Sequence, residues 1–215
     1  DFGVGCYNLV SGTECASGGY TQLTGAGNHA KTTTNLSMVM GTAHVGNRLY
    51  FLGSEATGPA DFFGDVSYRE MLYCFDLTAH ATCAPVNLTA TQSVPGWDPG
   101  PANIFNPNNS GIIGYGQFSD LEVDGTRIYF SLGYVSGTAV GCFDTATTAA
   151  CLGWASLKGV GGLSGAGMFL IDPDVAGAQG VCVETKSNVI IAFNTRSIVC
   201  FDGSGSLVPN PAAAG

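Results

Sequence analysis

Apolar residues in this chain fall in short runs bounded by turn residues. Leu49–Leu52, Met71–Phe75, Ile128–Leu132, Val189–Phe193 and Ile198–Phe201 are each flanked by Gly, Asn, Asp, Ser or Thr. Runs of that length, rich in β-branched and aromatic residues, predict strands. Glycine and proline supply the punctuation, with 32 Gly and 9 Pro in 215 residues. The expected class is all-β: many short antiparallel strands joined by turns.

The runs repeat. Cys6, Cys74 and Cys142 are 68 residues apart, in the segments VGCYNLVSGTEC, LYCFDLTAHATC and VGCFDTATTAAC. A fourth copy, IVCFDGSGS, starts at Ile198 and carries Pro209 where its second cysteine would fall. Upstream lie a turn and strand in GNRLYFLG (46–53), GTRIYFSL (125–132) and SNVIIAFN (187–194). A further strand precedes each, in 37–45, 118–124 and 180–186. One unit is therefore strand, tight turn, strand, variable loop, C-F-D strand, turn and closing strand, a four-stranded antiparallel meander. Insertions confined to one kind of loop are what repeat architectures show.

On this register residues 1–215 form one repeat domain: a trailing half unit (1–36), whole units at 37–104 and 105–167, an incomplete unit at 168–207 and a linker-like tail at 208–215. Incomplete units at both ends predict a piece of a longer chain or a subunit of an assembly. Three sheets alone leave apolar faces to be covered.

The eight cysteines form an even set, and Cys6/Cys15, Cys74/Cys83 and Cys142/Cys151 are each nine apart. Neither the close pairs of a zinc site nor a redox C-x-x-C occurs. A nine-residue spacing suits an antiparallel hairpin, whose facing Cα atoms come within disulfide reach. Cys182 and Cys200 remain as a fourth pair. The register sets them two strands apart, at about 9–10 Å, so their bridge requires a displaced strand or a bulge. Disulfides place the protein in an oxidising compartment, secreted or at the cell surface. The sequons at Asn35, Asn87 and Asn108 are compatible with that. The opening Asp1-Phe2-Gly3 has no signal-peptide character and reads as a mature end or an internal cut.

The succession RIYF (127–130), VGCFDTAT (140–147) and LGW (152–154) resembles a blade of the quinoprotein-type β-propellers, with weaker copies at Phe75-Asp76-Leu77-Thr78 and Phe201-Asp202-Gly203. The resemblance implies propeller blades, about three of them here, stapled by the added cysteines. The family's turn glycine is replaced, by Ala79 or Thr148.

Composition narrows the function. Seven Lys+Arg against sixteen Asp+Glu give a net charge of −9, which speaks against a nucleic-acid partner. With 45% hydrophobic and 11% charged residues the chain is not disordered, and no apolar run approaches a membrane span. His29, His44 and His80 lack partners at metal-ligand spacing. No G-x-S-x-G elbow is present, and the glycines of 159–167 lack the lysine of a phosphate loop. Asp120, Glu122 and Asp124 read as a solvated strand face. Asp172 and Asp174 are weak calcium candidates in a turn, and no other cofactor is expected. The repeated Asp76, Asp144 and Asp202 read as turn caps, since a catalyst is needed once. Phe62, Phe63, Tyr68, Trp97 and Phe105 lie in loop-like stretches and are the candidate binding residues. The expectation is a non-catalytic scaffold that binds a protein, a glycan or a sister subunit through its loops. The alternative is part of a propeller enzyme, a quinoprotein-like dehydrogenase or a hydrolase.

Overall fold

The computed structural model describes residues 3–15, 20–22, 41–56, 68–88, 120–134, 137–155, 157–160, 163–171, 179–186 and 196–209. A leading unit contains β1 (Gly3–Gly5), β2 (Tyr7–Asn8), β3 (Thr13–Glu14) and β4 (Tyr20–Gln22), with β1 paired to β4 and β2 to β3. Sheet I runs β5 (Gly41–Val45), β6 (Arg48–Ala56), β7 (Tyr68–Asp76), β8 (Ala81–Asn87). Sheet II runs β9 (Leu121–Asp124), β10 (Arg127–Tyr134), β11 (Gly137–Asp144), β12 (Ala149–Ala150), and β13 (Lys158–Gly159) also pairs with β11. Sheet III runs β14 (Leu163–Leu170), β15 (Gly180–Lys186), β16 (Arg196–Asp202), β17 (Leu207–Val208). All pairings are antiparallel, and within sheets I to III the strands pair with their sequence neighbours as meanders require, apart from the added β11–β13 pairing.

Turn chemistry sets the registers. Gly46 and Gly125 take φ of +58° and +61° in the two-residue turns after β5 and β9, while Asn47 and Thr126 keep negative φ. Glycine alone at the first corner is the type II′ hairpin turn, whose twist matches the strands it joins. The turn after each C-F-D strand is a short cap, five residues long in the first three units and four in the last. Its first position is Asn8, Asp76, Asp144 or Asp202, and its left-handed position is Gly12 (φ +69°), His80 (φ +49°), Thr148 (φ +53°) or Gly205 (φ +76°). The left-handed corner thus falls at His80, where the sequence pointed to Ala79.

The sheets stack face to face, and alternation along each strand assigns the faces. Tyr50, Leu52, Leu72 and Cys74 of sheet I pack against Leu121, Ile128, Phe130 and Phe143 of sheet II. Tyr129, Val140, Cys142 and Trp154 of sheet II pack against Met168, Val181, Val183 and Phe201 of sheet III. The opposite face of sheet I, with Phe51, Met71, Tyr73 and Phe75, is covered in part by Val4 of the leading unit. First strands lie side by side, β5 next to β9 and β9 next to β14. Asp120 fastens the second junction, its Oδ2 accepting the Met168 N–H at 3.1 Å. At the first junction a Cβ on Gly41 would come within 3.1 Å of Leu121 Cγ and 3.2 Å of Leu121 N, so β5 and β9 approach closely there. Four-stranded meanders stacked about neighbouring first strands are the arrangement of propeller blades.

All eight cysteines are bridged, as Cys6–Cys15, Cys74–Cys83, Cys142–Cys151 and Cys182–Cys200. The first three close hairpins, as the spacing predicts. The fourth corrects the register of the last unit. Strand β15 is the second strand of sheet III and not the first, so Cys182 faces Cys200 directly with Cα atoms 4.0 Å apart. The first strand is β14, which begins within the glycine-rich stretch 159–167. A register shift between Ser164 and Met168 breaks the alternation that would have betrayed it. Residues 187–194, expected as a strand, lie outside the described residues. Sheet III also has a fourth strand, because Leu207 and Val208 pair with Phe201 and Cys200 just before Pro209.

Candidate functional site

The repeated aspartates are turn acceptors. Asp76 Oδ1 accepts the N–H groups of Thr78 and Ala79, each at 2.9 Å, and the Asn47 amide at 3.2 Å. Asp144 Oδ1 accepts Ala146 N–H at 2.9 Å. Asp202 Oδ1 accepts Ser204 N–H at 2.8 Å, Ser204 Oγ–H at 2.6 Å and Ser206 N–H at 3.0 Å. Asn8 does the same with Val10 and Ser11 at 2.9 and 3.1 Å. Donors aimed at an ionised oxygen favour the charged form. The Ala79 amide leads in holding Asp76 below the usual carboxylate range, the Ala146 amide does so for Asp144, and the Ser204 hydroxyl for Asp202.

A concave surface lies where sheets II and III meet at the turn end. It is an open cleft of about 470 Å³ lined by Arg127, Leu152, Gly153, Gln179, Asp202, Gly203 and Ser204. Local sequence builds it as a lock between two turns. Gly153 (φ +85°) lets the Cys151–Trp154 turn approach the next sheet so closely that a Cβ would stand 2.0 Å from Ser204 O. Trp154 donates its indole N–H to Gly203 O at 3.2 Å and meets Tyr129 and Phe201 edge-on, with ring centroids 5.6 Å from each. Arg127 Nη1 reaches the same carbonyl at 3.5 Å. Lys158 donates to Gly153 O at 3.1 Å and lies 5.8 Å above the Trp154 ring. Tyr129 is fully buried, and burial pushes its phenol above its ordinary value. Its hydroxyl makes no hydrogen bond of good geometry, although the Arg127 guanidinium is close enough to offset part of the burial. The cleft is thus floored by an inter-sheet clamp whose polar groups face one another.

Of the three carboxylates at β9, Asp120 and Glu122 are not simply solvated. Asp120 Oδ1 accepts Leu121 N–H at 2.9 Å while Oδ2 holds Met168. Partial burial, helped by the Asp120 charge, raises Glu122. Among the described residues no group of three His, Cys, Asp or Glu is placed to hold a metal ion. No helix among them is long and apolar enough to cross a membrane.

Of the candidate binding aromatics, Phe62, Phe63, Trp97 and Phe105 lie outside the described residues, as do Asp172, Asp174, Asn35, Asn108 and His29. Tyr68 is not in a loop: its backbone opens β7, paired with Ala56. Asn87 ends β8 opposite Met71, His44 is exposed on β5, and His80 sits at its turn corner. The clamp around Trp154 and Gly203 was visible in sequence only as the L-G-W run after the C-F-D turn.

These features define an all-β, disulfide-stapled protein of propeller-like build. No protein-family model and no curated protein matches the chain. Among solved structures it is similar to the β-propeller domain of the Trilobed protease from Pyrococcus furiosus, described as having an open velcro topology. The identity is 11% and the TM-score 0.40, over 78% of this chain and 40% of that one. This chain thus spans less than half of that neighbour.

Proposed function

We propose that the protein is an exported, non-catalytic scaffold whose blades present loops and faces to a partner protein. The observation that carries this reading is how the repeated polar residues are used. Asp76, Asp144 and Asp202 spend their Oδ1 atoms on turn amides, and Arg127, Trp154 and Gly203 spend theirs on joining two sheets. Four disulfides fit folding in an oxidising compartment. The alternating loops between second and third strands are the variable part, and Phe62 and Phe63 belong to the longest of them.

Two measurements test the reading. Expression through an oxidising secretory route is expected to give a folded chain without free thiols, and cytosolic expression a reduced and unstable one. Phe62→Ser and Phe63→Ser are expected to abolish partner binding while leaving the melting temperature unchanged. Dye-linked dehydrogenase turnover on addition of pyrroloquinoline quinone, or peptide hydrolysis, would overturn it in favour of an enzyme.

A further inference from the structure

The repeat breaks at the seam between sheets II and III. In sheet I, Arg48 opens β6 opposite Asp76 of the C-F-D strand, and the two form an ion pair at 3.6 Å. Arg127 opens β10 opposite Asp144 in the same way. It forms no ion pair among the described residues and reaches across the seam to Gly203 O at 3.5 Å instead. In sheet III the arginine position is Gly180, opposite Asp202. A Cβ there would stand 2.1 Å from Phe201 O, so no side chain can answer Asp202 from that place. Asp202 commits Oδ1 to its turn, and its Oδ2 takes no hydrogen bond among the described residues. A guanidinium and a carboxylate, each without the partner that sheet I supplies, thus line one cleft of about 470 Å³.

The remaining lining adds neutral groups. Leu152 is 90% exposed, two residues from the fully buried Trp154, and gives the cleft an apolar patch. Gln179 and Ser204 bring an exposed amide and an exposed hydroxyl. Charges of both signs select against a ligand of either charge. Asp202 and the net charge of −9 repel an anion, and Arg127 repels a cation. An extended peptide is not suited either, because β10 and β16 are each paired on both sides and leave no strand edge to extend. The fitting ligand is neutral, has groups that donate and accept together, and has one apolar face.

We propose that this cleft binds a neutral saccharide, with the C–H face of one pyranose ring on Leu152 and its hydroxyls between Arg127, Gln179 and Asp202 Oδ2. Neighbouring hydroxyls accept from the guanidinium and donate to the carboxylate at once, which serves both groups with charge-assisted hydrogen bonds. The site lies between two sheets of the described chain and depends on neither terminus. It goes beyond the scaffold reading, whose partner contacts lie in the loops.

Titration of the isotope-labelled, oxidised chain with maltose, cellobiose, lactose and diacetylchitobiose tests this through backbone amide shifts. At least one disaccharide is expected to give saturable shifts at millimolar concentration, centred on Gly153, Gln179, Gly203 and Ser204. Gln179→Ala and Leu152→Ser, both at exposed positions, should each weaken that sugar by about fivefold. Asp202→Asn should weaken it by about tenfold with circular dichroism unchanged, because an amide oxygen still caps the turn, as Asn8 does, and only the Oδ2 acceptor is lost. Val10→Ser, exposed on the first hairpin, is the control and should leave the affinity unchanged. Co-sedimentation with insoluble starch, cellulose or chitin separates the sources: depletion assigns the sugar to a polymer, and binding of the disaccharide without depletion assigns it to a free or terminal unit. The proposal is overturned if none of these sugars shifts the cleft amides, or if the shifts survive all three cleft substitutions. It is also overturned if glycine or acetate shifts the same amides at lower concentration than any sugar. Each of those results leaves partner binding through Phe62 and Phe63 untouched, so the two readings fail separately.

Discussion

Replacing Gly153 with alanine isolates the clamp between sheets II and III. Two costs add. The backbone sits at φ +85°, where an L side chain costs about 1–2 kcal/mol. The new Cβ would also stand 2.0 Å from Ser204 O, a backbone atom that cannot swing aside. Forcing such a contact open costs a further ~1–3 kcal/mol, as overpacking does elsewhere. Gly125→Ala and Gly46→Ala are the controls. They share the left-handed backbone, but a Cβ at either meets nothing within 4 Å. We expect Gly153→Ala to lose about 2–5 kcal/mol and the controls about 1–2 kcal/mol. Urea unfolding of the oxidised protein reads this through tryptophan fluorescence, since the chain has two Trp and Trp154 is fully buried in the clamp. The Gly153 variant should also red-shift the native emission as Trp154 loosens, which the controls should not. Equal losses in all three variants, with Trp154 emission unmoved, would refute the docking of these two turns.

Three further outcomes are expected. Thr148→Gly should stabilise the protein by about 0.5–1 kcal/mol in thermal melts, because a β-branched residue at φ +53° occupies a corner that Gly12 fills without strain; a loss would show that Thr148 earns its place through its hydroxyl. The capped aspartates have depressed pKa values, so their stabilisation is complete above the ordinary carboxylate pKa of about 3.9 and disappears as pH falls through the lower folded value. Joint Asp144→Asn and Asp202→Asn replacement should flatten that acid slope and retain the turns, as Asn8 does in the first one, and an unchanged slope in acid titration would contradict the capping account. Tyr129→Phe should be neutral or stabilising by up to about 1 kcal/mol in urea, since it deletes a buried hydroxyl lacking a well-formed hydrogen bond; a loss above that would mean the Arg127 contact holds the clamp.

Some of this architecture was legible because it is periodic. Cysteine spacing gave the hairpin staples, and a turn glycine ahead of Arg48 and Arg127 gave the paired strands. What escaped was whatever broke the period. The bulge in β14 hid a strand inside Leu163–Leu170, and that displaced the reading of β15 by one place and separated Cys182 from Cys200 on paper. The two-residue β17 was overlooked because Pro209 follows it directly. Tyr68 looked like loop because β6 and β7 extend four pairs beyond the apolar core of their run, from Gly53↔Met71 to Ala56↔Tyr68. The clamp depends on a distance between turns about fifty residues apart, and no local pattern encodes it.

The placement of the disulfides also sets how the molecule yields to force. Cys74–Cys83, Cys142–Cys151 and Cys182–Cys200 each join strands of one sheet, and none joins two sheets. Pulled from its ends, the oxidised chain can part along the seams between sheets and peel off strands outside the cystine loops, such as β5, β6, β9, β10 and β14, while the bridged hairpins stay closed. The loops closed by the cystines stay out of the extended contour, so each unit releases a shortened length and keeps a stapled nucleus from which to re-form.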